Sequence, residues 1–260
     1  TERRPGIQGV FMRSEGVNPN AEQYGTMALT TTAKRGVTYL AAWPRRDTWG
    51  SLLDFWDDFS ADGKLEDREE ETLDDPRCSV AAAVRVPPQG TRSVTFLLAW
   101  HFPNRQVWPS LVEGVPSSEG DESGDANRVG NYYATQYADA WDAAASAAAR
   151  LKVLESDTLT FVRSLCDSDL PAAVKEAALF NLSTLRSQTC FRTEDGNFFG
   201  WEGCDDNIGC CSGSCTHVWN YEQATAFLFG DLAHSMREVE FSHATRDDGH
   251  MSFRAVLPLV

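Results

Sequence analysis

The sequence predicts an α+β chain of more than one domain, with an antiparallel β-sandwich in its first half and helices around an irregular loop in its second. Three observations predict it. Up to residue 101, short segments rich in Val, Thr, Tyr and Trp alternate partly and are separated by turns containing Gly and Pro. From residue 131 the apolar spacing changes to three and four residues, the helical period. Between two such helical stretches, residues 196–223 hold five glycines, four cysteines, one histidine and five aromatics.

Composition bounds the function. The 260 residues are 42% hydrophobic and 23% charged, ordinary for a soluble globular chain with one sizeable core or two small ones. The net charge of −15, from 38 acids against 23 bases, argues against nucleic acid and anionic membrane surfaces, which call for a basic footprint. No run of 18 apolar residues occurs, so no transmembrane helix is expected. The chain starts Thr-Glu-Arg-Arg-Pro, without initiator Met or signal-like segment, and is expected to be a piece of a longer protein.

Taken in order, residues 7–11 and 24–43 predict strands, the latter as Tyr24 to Thr32 and Gly36 to Trp43 around a Lys34-Arg35-Gly36 hairpin turn. Residues 49–59 place Leu52, Leu53, Phe55, Trp56 and Phe59 at helical spacing. Residues 61–76 are strongly acidic and predict a solvated loop. Strands at 79–86 and 91–101 follow, split by Pro87-Pro88-Gln89-Gly90, and the alternation from Ser93 to Trp100 suggests one buried face. This is the pattern of an antiparallel sandwich.

Residues 112–127 lack apolar periodicity and read as a linker. The segment 131–154 contains nine alanines and a Tyr133, Tyr137, Trp141 stripe, so one helix is expected to pack through that stripe. Ser156 is expected to open a second helix, with Thr158, Leu159, Val162 and Leu165 inward. Ser168-Asp169-Leu170-Pro171 caps a third, with Val174, Ala177, Ala178, Asn181, Leu182 and Leu185 inward. Residues 221–240 predict a further helix, with Ala224, Phe227, Leu228, Leu232 and Met236 on one side. Asp247-Asp248-Gly249 then turns into a strand at 253–260. The expected divisions are 1–127, 128–168 and 169–260.

The glycine-rich loop carries the chemistry. Glycines let a backbone bend tightly and approach a ligand. Glu202, between Trp201 and Gly203, has two readings from residue types alone. One is a solvated turn carboxylate; the other is a charge for an anomeric carbon beside flat faces for a sugar ring. Cys204, Cys210, Cys211, Cys215 and His217 hold enough donors for zinc, but adjacent cysteines without a second pair depart from structural zinc spacing, so no metal is expected. The odd total of seven cysteines fits reduced thiols in a cytoplasm better than a disulfide framework.

The motifs Phe199-Gly200-Trp201-Glu202-Gly203, Cys215-Thr216-His217-Val218-Trp219-Asn220-Tyr221-Glu222-Gln223 and Ser235-Met236-Arg237-Glu238 resemble glycoside hydrolase family 116. That is the bile-acid β-glucosidase/non-lysosomal glucosylceramidase family. The resemblance spans nearly the whole chain but only the middle of a family protein. It implies the end of an N-terminal β-sandwich, then the first helices of an incomplete (α/α)6 barrel. It also implies that Glu202 is the nucleophile of a retaining β-glycosidase acting on a small-molecule glycoside, without a cofactor. The acid/base aspartate of relatives lies well downstream of the nucleophile, so this chain is expected to lack it and to pack against the missing C-terminal half of its barrel. Better-known members carry a sugar-binding aspartate where Val218-x-x-Tyr221 aligns His217, which leaves the sugar open. His217 then either bonds a hydroxyl or starts a helix; Trp201 and Trp219 either stack on sugar or join the barrel core. The competing class is a binding or structural protein whose cysteine-rich loop packs or holds zinc.

Overall fold

The Thr- and Val-rich segments become strands, and a computed structural model of the chain gives their pairing. It describes residues 1–46, 49–68, 76–107, 128–187, 189–200, 203–204, 209–210, 214–215, 225–252, 254–255 and 257–259. Two units form, neither continuous in sequence. The first combines Thr1–Ser14, Gly25–His101 and Tyr137–Ser156; the second combines Glu15–Tyr24, Phe102–Gln136 and Asp157–Val260.

In the first unit, β1 (Glu2–Arg4), β2 (Ile7–Arg13), β3 (Thr26–Thr31) and β6 (Phe96–His101) form an antiparallel sheet in the order β1-β2-β3-β6. The register aligns Val10 with Leu29 and Leu29 with Leu98, so side chains two apart share a face across the strands. Ile7, Phe11, Ala28, Leu97 and Ala99 line the face that meets Ala140, Trp141 and Ala144. The two alanines bring the helix backbone close, and Trp141 meets Phe11 edge-on with centroids 6.4 Å apart.

Strands β4 (Val37–Leu40) and β5 (Ser79–Ala82) form a two-stranded sheet among the described residues, and β5 packs against β2 and β3. The Tyr39 hydroxyl donates to Gln8 Oε1 at 2.9 Å, tying that layer to β2. The Lys34-Arg35-Gly36 stretch is therefore a crossing from one sheet to the other rather than a hairpin turn. Gly36 makes the crossing at φ +67°, where a Cβ would also stand 2.9 Å from the Ala83 carbonyl oxygen. β5 stops at Ala82, short of the expected 86. The expected short helix is α1 (Gly50–Asp62). Phe55 stacks on Trp43 at 4.8 Å and Phe59 on Phe55 at 6.0 Å, while Leu52, Leu53 and Trp56 face solvent.

Helix α2 (Ala140–Cys166) corrects two expectations. It does not start at 131. Its opening is set by Asp139, whose Oδ1 accepts the Asp142 N–H at 2.8 Å, while Asp142 Oδ2 accepts the Ala138 N–H at 3.1 Å. Asp139 thus caps the helix, and Asp142 reaches back past it to the preceding N–H. Tyr133 therefore lies in a 3₁₀ turn (Tyr132–Thr135) and Tyr137 in the connection after it, and only Trp141 of the expected stripe is on the helix and buried. Nor does Ser156 open a new helix, because no Gly or Pro near it interrupts the hydrogen-bond ladder.

In the second unit, β7 (Asn104–Gln106) pairs with β8 (Arg128–Gly130). Asn104 Nδ2 donates to the carbonyls of Pro19 and Ala21, at 2.7 and 3.0 Å, and so holds the 15–24 loop. Helix α3 (Ala172–Thr184) starts after Pro171 as expected. Its inward set differs from expectation: Val174 is 48% exposed and Ala177 is exposed as well. Leu159 and Val162 of α2 are also exposed. The expected 221–240 helix is described from residue 225 and is interrupted. α4 (Thr225–Leu228) and α5 (Gly230–Ser242) meet at Phe229, whose φ of −137° and ψ of 60° are not helical. Of the expected terminal strand, β14 (Arg254–Ala255) forms. The 112–127 linker and residues 69–75 of the acidic stretch lie outside the described residues.

Candidate functional site

The frame of the glycine-rich loop is a hairpin of β9 (Cys190–Arg192) and β10 (Phe198–Gly200). Its turn is organised by Asp195. The Asp195 carboxylate accepts the Thr193 hydroxyl, the Asn197 N–H at 3.1 Å and the Asn197 side-chain amide at 2.9 Å. Burial works to raise the Asp195 pKa, but these donors hold it below the usual carboxylate range. Gly196 takes φ +93°, and its carbonyl accepts Arg192 Nε at 2.8 Å. The Arg192 guanidinium in turn lies 3.7 Å from the centroid of the Tyr132 ring.

All three residues of β10 are buried. Phe199 stacks on Phe191 at 5.6 Å within a core that includes Val107, Val239, Ala244, Ala255 and Leu257. Phe198 points the other way in the pleat, into a second cluster with Cys190 and Met236, edged by Leu185 and Leu232. Helix α5 thus packs on both faces of β10, through Val239 on one and Met236 on the other. The polar link between them is the Phe198 N–H, which donates to Ser235 Oγ at 3.1 Å. Ser235 opens the Ser235-Met236-Arg237-Glu238 motif that carries part of the family resemblance, which assigns it no role of its own.

Beyond β10 the chain continues in short paired pieces. β11 (Gly203–Cys204) pairs with β12 (Gly209–Cys210), and β13 (Ser214–Cys215) pairs with β14. Trp201 and Glu202 are the two residues linking β10 to β11, while His217 and Trp219 fall between β13 and α4. These four sequence-predicted site residues, with Asp205, Asp206 and Cys211, lie outside the described residues. The described residues nearest Glu202 in sequence are β10, buried and paired with β9 up to Gly200, and β11, paired with β12 from Gly203.

A buried acid that sequence reasoning passed over sits on α5. Glu240 is 3% exposed, and Arg237 one turn earlier donates to its Oε2. Burial raises the Glu240 pKa, and the Arg237 charge partly offsets it. Among the described residues, no group of three or more His, Cys, Asp or Glu is arranged to hold a metal ion, and no helix is long and apolar enough to cross a membrane.

The family model described as "beta-glucosidase 2, glycosyl-hydrolase family 116 N-term" matches residues 1–154. The chain belongs to glycoside hydrolase family 116. No curated protein matches it. The match covers more than half of the sequence, including the whole four-stranded sheet and the first part of α2.

Proposed function

We propose that the chain supplies the nucleophile, Glu202, of a retaining β-glycosidase of the β-glucosidase or glucosylceramidase type. The family match over residues 1–154 carries this reading, joined to the Trp201-Glu202-Gly203 and Cys215-to-Tyr221 motifs. The Glu202 carboxylate attacks the anomeric carbon, the bond to the leaving oxygen breaks, and a second carboxyl protonates that oxygen. Water, deprotonated by the same second group, then hydrolyses the glycosyl-enzyme. In retaining enzymes the two carboxyls stand about 5–5.5 Å apart. We place the second on polypeptide outside residues 1–260. His217 hydrogen-bonds a sugar hydroxyl in this scheme, and Trp201 and Trp219 offer stacking faces.

The proposed organisation is a sandwich domain contributing residues 1–127, a connecting stretch over 128–168 whose helix is α2, and an (α/α)6 catalytic barrel beginning at 169. Support for an incomplete barrel comes from the exposed apolar residues Leu159, Val162, Leu170 and Val174, which give the remaining barrel helices a surface to cover. The cysteines are thiols in this reading, and the compartment is the cytoplasm.

The test uses full-length protein with an activated 2-fluoro β-glycoside and intact-mass spectrometry. One adduct mapping to Glu202 is expected, with none on residues 1–260 alone. Glu202→Gln keeps the shape without the charge, and turnover of aryl β-glycosides should fall by on the order of 10⁴-fold or more. A variant retaining a tenth of the activity would reduce Glu202 to a structural residue.

A further inference from the structure

We infer that Ser235 is a positioning residue for Glu202, acting through the backbone of β10; this rests on the proposed role of Glu202. The hairpin register sets up the contact. Thr193 N–H donates to the Asn197 carbonyl at 2.9 Å, which makes those two a hydrogen-bonded pair. Bonded and non-bonded pairs alternate along an antiparallel ladder. The next pair, Phe198 with Arg192, is therefore non-bonded, and the Phe198 N–H points away from β9. A buried N–H without a partner is costly, so the strand requires an acceptor on its outer edge.

Ser235 Oγ is that acceptor, at 3.1 Å, and it donates its own proton to the Leu232 carbonyl at 2.8 Å. The hydroxyl is oriented by the helix and is not free to rotate away. Met236, the next residue, packs with Phe198 and Cys190. One polar and one apolar contact thus hold β10 along and across its axis, four residues ahead of the carboxylate in sequence. Apolar packing resists separation but tolerates sliding, whereas a hydrogen bond fixes one atom against another. Ser235 therefore sets the register of β10 on α5, and with it the position of Gly200, the residue that leads in sequence to Trp201 and Glu202.

Register matters to this chemistry because in-line attack tolerates little error, and a shift of about 1 Å costs a reaction about a hundredfold. Ser235→Ala should slow glycosylation by the activated 2-fluoro β-glycoside about tenfold to a hundredfold in full-length enzyme, with KM changed by less than about threefold. Ser235→Thr keeps the hydroxyl and should restore the rate to within about threefold of wild type. In the 260-residue chain, Ser235→Ala should also strip the Phe198 amide of its hydrogen-exchange protection while Phe199 keeps its own.

An alanine variant labelled as fast as wild type overturns the inference. So does one whose rate loss threonine fails to rescue, or one in which Phe198 protection is unchanged. Failure of the underlying reading looks different: the wild-type adduct would map to a residue other than Glu202, whatever Ser235 does.

Discussion

Truncating Trp141 tests whether the four-stranded sheet and α2 share one core. The side chain is fully buried among Ile7, Phe11, Ala28, Ala140 and Ala144, and the Arg4 guanidinium lies 5.7 Å from its ring centroid. A buried Trp removes about 200 Å² from water, worth about 5 kcal/mol at about 25 cal/mol per Å². One feature works against the full value: the indole Nε1 is buried without a hydrogen-bond partner among the described residues. An unsatisfied buried donor costs about 1–3 kcal/mol. Trp141→Ala should therefore cost about 4 kcal/mol, from lost burial and the cavity left behind. Trp141→Phe leaves a smaller void and removes the orphaned donor, so it should cost only about 1 kcal/mol. Urea unfolding followed by far-UV circular dichroism measures both. A loss below about 1 kcal/mol for the alanine variant, or equal losses for the two, would refute the placement of Trp141 as the keystone of that core.

The Asp139 cap predicts that Asp139→Ala destabilises the protein by about 1 kcal/mol, while Asp139→Asn costs only a few tenths, since asparagine caps equally well; chemical denaturation distinguishes the pair. For Glu240 the sign follows from its raised pKa. The folded state binds the proton more tightly than the unfolded state, so the stabilising contribution is present at low pH and disappears as pH rises through the folded value. Relative to Glu240→Gln, wild-type protein should thus gain thermal stability as pH is lowered from neutral through the carboxylate range. A pH-independent difference in melting temperature, or one of opposite slope, would show that Glu240 is not held in a disfavoured charged state.

Much of the local structure was legible in the residue order. β3 and β6 lie within the segments that predicted them, β2 starts at the expected Ile7 and runs two residues past the expected 11, α1 follows from its apolar spacing, and α3 begins at the proline that cannot sit deeper in a helix. These features depend on neighbours within about four residues, and a sequence displays such neighbours directly. The family, too, was readable from short motifs, and the match over residues 1–154 agrees with it.

Pairing and coverage were decided only in three dimensions. Lys34-Arg35-Gly36 has the composition of a hairpin turn, yet the competition among strands places β3 between β2 and β6 and sends β4 to β5. Val174 sits on an apolar stripe that a periodicity rule turns inward, but burial needs a covering surface, and none among the described residues covers it. Ser235 gives the sharpest case. Its motif marks the family but not the contact, because its partner N–H lies 37 residues away and needs a hydrogen bond only after the hairpin register has turned it outward. The carboxylate proposed for catalysis was named by sequence alone, while the contact between α5 and the strand that precedes it in sequence was assigned by the fold. A residue type carries its chemistry with it, but a position in space is the sum of many weak long-range contacts that no local pattern records.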